Sequence, residues 1–130
     1  MSDEESIRLV LARFIQLRDD KRYREWVDCF HEDGIFEYAS NRLLGRDAIR
    51  DNVSQLLAGD RGKHLCMNSI IEVNGDAANV SSDFVKLNPH EGATPARYEI
   101  VATGRYEDLF ERRDGAWRIA SRRVRIMGLE

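Results

Sequence analysis

KHLCMNSIIEVNGDAANVSSDFVKL, residues 63–87, is the stretch on which the fold turns. Two runs rich in β-branched, aromatic and other apolar residues, Lys63 to Val73 and Ala77 to Leu87, flank Asn74-Gly75-Asp76. Asn-Gly suits a tight hairpin, because the turns that match strand twist need a positive φ at their central residues. The spacing predicts two antiparallel strands. Downstream, a loop holding Pro89, Gly92 and Pro95 leads into a long strand from about Arg97 to Arg112. Asp114-Gly115 turns the chain again, and Trp117 to Met127 completes the meander.

Upstream the period changes from two to three and four. Ile7, Val10, Leu11, Phe14 and Leu17 fall on one stripe of a helix, and Ser2 with Glu5 forms a capping-box pattern at its start. Arg18-Asp19-Asp20-Lys21 interrupts that pattern, and a second short helix carries Tyr23, Trp26, Val27 and Phe30. Glu32-Asp33-Gly34 ends it, with a short strand from Ile35 to Tyr38. Gly45 and Asp47 introduce a third helix whose buried face is Ile49, Val53, Leu56 and Leu57. Helices followed by a meander predict an α+β fold, with the helices covering one face of a curved, mainly antiparallel sheet. A pocket forms between them if the inward side chains leave space.

Composition excludes several classes. The 130 residues amount to one domain, 1–130, at the usual ~100–200 residues each. An apolar share of 42% is too high for a disordered chain. No apolar run approaches the ~18 residues of a membrane span. The acidic start, Met1-Ser2-Asp3-Glu4-Glu5, lacks the features of a signal peptide, so a cytoplasmic location is expected. A net charge of −3 argues against a nucleic-acid partner. The late arginines Arg118 and Arg122 fall on one strand face by simple alternation, and Arg123 and Arg125 on the other, which breaks up any basic stripe. Cys29 and Cys66 lack metal-type spacing and are expected to be free thiols. No metal site is expected.

Several motifs carry a family resemblance. They are the Asp19-bearing helix junction, Phe30-His31-Glu32-Asp33-Gly34, Leu44-Gly45-Arg46-Asp47-Ala48-Ile49 and the Lys63-His64 strand start. Asn74-Gly75-Asp76-Ala77 and the run from Tyr106 to Trp117 complete the set. In this order and spacing, over nearly the whole chain, they resemble the SnoaL-like branch of the nuclear-transport-factor-2-like superfamily. The resemblance implies a cystatin-like, cone-shaped α+β roll around a pocket. Its nearest chemistry is similar to that of scytalone dehydratase and hexachlorocyclohexane dehydrochlorinase, cofactor-independent lyases built on an aspartate–histidine pair. Carried over residue by residue, the pair is Asp19, matched better than Asp20, and His64. A dehydratase tyrosine falls on Tyr38, and a dehydrochlorinase arginine on Arg122. One departure stands out: where the dehydratase has a second histidine, this chain reads Ala102-Thr103-Gly104.

Each candidate also has a plainer reading. His64 heads an apolar strand, and alternation puts Cys66 and Asn68 on its face, where it could be a hydrogen-bonded core histidine. His31, at a helix end, and His90, in a loop, are expected in solvent. Asp19 and Asp20 could cap the second helix. Tyr38 could be rim packing. If the pair is catalytic, the imidazole accepts a proton near neutral pH while the carboxylate fixes its tautomer. Tyr38 or Arg122 would then steady the developing anion. The expected function is a lyase or isomerase that needs no cofactor and acts on an apolar, cyclic small molecule. The alternative is a noncatalytic ligand-binding or assembly module, such as a dioxygenase small subunit. A homodimer or higher homo-oligomer is expected through the outer sheet face.

Overall fold

In the computed structural model, residues 1–128 are described. Ser2 starts helix α1 (Asp3–Asp19) with the reciprocal capping box: its hydroxyl accepts from Glu5 N–H at 3.1 Å, and Glu5 accepts from Ser2 N–H at 3.3 Å. The buried stripe of α1 is Ile7, Leu11, Phe14, Ile15 and, one turn further, Arg18. The short helix α2 (Tyr23–Trp26) passes into a 3-10 turn at Val27–Cys29, and strand β1 (Phe30–Tyr38) begins directly after it. That strand starts earlier than the sequence suggests. The Glu32-Asp33-Gly34 signal is an irregularity inside β1, between the paired residues Phe30 and Ile35, and not a helix end. His31 is consequently buried, its Nε2 2.7 Å from the Glu111 carbonyl, where the sequence suggested a solvated side chain.

A short strand that the sequence reading did not contain, β2 (Asn41–Leu44), folds back on β1 before helix α3 (Arg46–Leu56). The meander follows as β3 (Lys63–Asn74), β4 (Ala77–Pro89), β5 (Tyr98–Arg113) and β6 (Ala116–Ile126). The strand order is β2-β1-β6-β5-β4-β3; β1 runs parallel to β6 and the other neighbours are antiparallel. Among the described residues the result is three α-helices on one six-stranded, curved sheet that does not close on itself.

Curvature comes from bulges, each inserting one residue that its partner strand does not match. Asn68 lies in one, at a left-handed φ of 55°. Val101 and Ala120 lie in the others. Because side chains alternate with a period of two, one extra residue flips everything beyond it to the other face. Asn68 therefore bonds outward to Asp83 at 3.1 Å, and does not share the inward face of His64 and Cys66 as alternation implied. On β6, Trp117 and Ile119 point inward before the bulge, and Arg122 and Val124 after it. Arg118 and Arg122 thus lie on opposite faces, contrary to the simple alternation.

The core beneath α1 is aromatic. Phe14 lies 5.2 Å from Trp26, 5.9 Å from Phe30 and 6.0 Å from Tyr106 between ring centres. Tyr106 in turn stacks on Phe84 at 4.6 Å.

Candidate active site

The last residue of α1 meets the first turn of β3. Asp19 offers one carboxylate oxygen to His64 Nδ1 at 2.7 Å, and the other accepts the His64 backbone N–H at 2.9 Å. Two bonds to one residue fix both the place and the rotation of the ring. With Nδ1 bonded to a carboxylate, Nδ1 carries the proton, and Nε2 is left as the basic nitrogen. The His64 pKa is held below the ordinary imidazole value. Burial is the main cause, the bond to Asp19 opposes it, and the charges of Arg18 and Lys86 add to it. The ring is therefore neutral at pH 7, the form a general base requires.

His64 lines a cavity of about 220 Å³ whose walls are mostly apolar: Phe36, Val53, Leu57, Phe84, Val124 and Ile126. Polar groups enter it from Arg18, Tyr38, Lys86 and Tyr106. The sheet supplies most of this wall, and α3 covers it through Val53 and Leu56. Tyr38 stands on the cavity wall, and its hydroxyl donates to Asn52 Oδ1 on α3. Burial raises its pKa, so it stays protonated.

Arg122 is placed differently from His64, Asp19 and Tyr38. Its side chain is buried in the core, where Nε and Nη2 donate to the two Asp108 oxygens at 2.7 Å each. The guanidinium lies 4.1 Å from the Phe14 ring centre and 4.0 Å from that of Tyr106. It does not line the cavity that His64 lines; it sits one layer behind, against the Tyr106 ring. Arg18 does line it, and the sequence reading passed over this residue as part of a polar interruption. Its position could have been found, since 18 follows 7, 11 and 14 on the α1 stripe.

Ala102 occupies the cavity wall in the segment that departs from the dehydratase pattern. Gly104 beyond it cannot carry a side chain in this backbone: a Cβ would lie 2.0 Å from the Arg125 carbonyl oxygen. Among the described residues no group of three or more histidine, cysteine or acidic side chains is placed to hold a metal ion. No helix among them is long and apolar enough to cross a membrane.

An α+β cone with a polar-edged cavity between helices and sheet defines a class of small-molecule-binding folds. The chain belongs to the SnoaL-like domain family, whose model matches residues 1–123. No curated protein matches it in sequence. Among solved structures it resembles Rv3472, a Mycobacterium tuberculosis protein of unknown function, at 32% identity and a TM-score of 0.87, over 95% of this chain and 71% of that one. An NTF2-like protein with a cystatin-like fold from Novosphingobium aromaticivorans is similar at 22% identity and a TM-score of 0.87, over 98% and 84% of the two chains. A "putative scytalone dehydratase" from the same organism aligns at 24% identity and a TM-score of 0.80, over 96% and 84%. At those identities the latter two speak to fold alone.

Proposed function

We propose that this protein is a cofactor-independent lyase or isomerase that removes a proton from an apolar, cyclic small molecule. The observation that carries the reading is the His64–Asp19 pair at 2.7 Å on the wall of a mostly apolar cavity. His64 Nε2 accepts the proton, from carbon next to a carbonyl or opposite a leaving group, and returns it later in the cycle. Asp19 holds the reactive tautomer and stabilises the imidazolium that forms. Tyr38 steadies the developing anion by turning its hydroxyl proton from Asn52 to the substrate, and Arg122 supports the wall from behind through the Tyr106 ring. A cavity of ~150 Å³ accommodates benzene, so about 220 Å³ admits one substituted ring.

The test is a screen of cyclic hydroxyketones for water loss and of cyclic ketones for hydrogen–deuterium exchange next to the carbonyl. For any substrate turned over, His64→Ala is expected to lower kcat by about 100- to 10,000-fold, the range of general acid–base help. Asp19→Asn keeps the size of the side chain but not its charge, and is expected to lower kcat with KM little changed. Unchanged turnover in His64→Ala sinks the proposal.

A second reading, an assembly module, draws on the exposed apolar side chains Leu65, Met67 and Ile70 along the edge strand β3. They support self-association through the sheet, which is compatible with catalysis in the cavity on the opposite face.

A further inference from the structure

Among the described residues two arginines are buried, and they differ in one respect. Arg122, 1% exposed, has a carboxylate of its own in Asp108. Arg18, 6% exposed, has none within ion-pair distance among the described residues. Its Nη2 donates to the Tyr106 hydroxyl at 3.1 Å, its guanidinium lies 4.7 Å from the Phe14 ring centre, and its Nε has no partner. The carboxylates of the neighbourhood are turned elsewhere. Asp19 gives both oxygens to His64, while Asp60 accepts from Lys86 and from Gly62 N–H. A guanidinium out of water and without a paired anion is costly to the folded chain. A charge-assisted bond to an anionic ligand offsets that cost.

Tyr106 strengthens the point. Its hydroxyl oxygen already accepts from Arg18, so the hydroxyl proton remains to be donated, and the residue lines the same cavity. Arg122 lies over one side of its ring, 4.0 Å from the centre, and helps hold the phenol in place. Tyr38, by contrast, has its proton on Asn52. Beside Lys86, which is paired with Asp60, the cavity therefore holds one base, one donor with its proton to give and one cation without a paired anion, in an apolar shell.

We propose that the ligand of this cavity is an apolar ring carrying one ionised oxygen, a carboxylate or an acidic enol or phenol, and that Arg18 and Tyr106 together receive that oxygen. The inference rests on the reading of the cavity as a substrate site and narrows the substrate class. Arg18 is a ligand-binding residue here, and Tyr106 its partner.

The test needs no turnover. Isothermal titration calorimetry of the wild-type protein compares benzoate with benzamide, and 4-nitrophenolate with nitrobenzene, each above the ionisation of the acidic probe. The ionised member of at least one pair is expected to bind about tenfold tighter or more, as charge-assisted bonds require. The pair that shows it tells carboxylate from phenolate. Arg18→Met, which keeps the apolar stem, is expected to abolish the preference; Arg18→Lys is expected to keep part of it. His64→Ala is expected to leave it intact. Equal affinity within both pairs, no binding of any probe, or a preference unchanged in Arg18→Met overturns the inference. If Arg18→Met does not fold, the wild-type comparison still decides. Unchanged turnover in His64→Ala, with the anion preference present, would overturn the proton-abstraction reading and leave this inference standing.

Discussion

At the scale of single residues, the site is a matter of how one imidazole is held. Asp19 fixes the His64 proton on Nδ1, and burial with the nearby charges of Arg18 and Lys86 keeps the ring neutral. Turnover is therefore expected to fall only when the pH drops below the ordinary imidazole value of ~6.5. Arg18→Met removes one positive charge from that balance and is expected to move the acid limb of the kcat profile to higher pH. A limb that stays in place would show that Arg18 does not act on His64. Stability follows the same sign. The unfolded chain takes up a proton near pH ~6.5 while folded His64 does not, so this contribution is complete above that pH and is lost as the pH falls through the folded pKa. His64 was legible in the sequence, because a histidine among apolar strand residues is conspicuous. Arg18 follows 7, 11 and 14 on the same helix stripe, but the run of four charged residues that it opens reads as a polar interruption and hides it.

Among the elements, bulges decide which side chains reach the interior. Regular alternation placed Arg118 and Arg122 together; the extra residue Ala120 sends Arg122 inward and leaves Arg118 on the opposite face. A bulge has no dependable sequence signal, so this part of the site could not be found by counting along β6. Once inside, Arg122 needs Asp108. Burial pushes the Asp108 carboxyl above its ordinary value even against the pull of the guanidinium. Arg122→Met alone would strand Asp108 and is expected to cost about 3–5 kcal/mol in urea unfolding, with the double variant Arg122→Met, Asp108→Leu costing less. A double variant as unstable as the single one would contradict this account. Gly104 matters for a different reason. A Cβ there would meet the Arg125 carbonyl at 2.0 Å and the Phe84 ring at 2.9 Å, so β5 and β6 would have to part. Gly104→Ala is expected to lower stability by about 1–3 kcal/mol, read as a shift of the unfolding midpoint.

For the whole molecule, the α+β order and the hairpin at Asn74-Gly75 were legible because hydrophobic period and turn chemistry agree along the chain. The early start of β1 and the strand β2 were not, since Glu32-Asp33-Gly34 reads equally well as a helix stop. The outer sheet face carries a different expectation. Arg105 pairs with Asp83 and Arg125 with Glu107, both at 2.8 Å, which leaves no continuous basic stripe there. Together with Leu65, Met67 and Ile70, this mixed face is expected to join two copies. Sedimentation should then give about twice the 15.0 kDa chain mass at micromolar concentration, and Ile70→Glu should return it to monomer. A wild-type monomer would contradict it. One consequence follows from the way Asp19 grips His64 by both ring and backbone. The proposed base is also a clasp between the end of α1 and the start of β3, so α1 cannot lift away without releasing the imidazole. Control of the reaction would thus be open to any event that frays the last turn of α1, the turn that carries both Arg18 and Asp19.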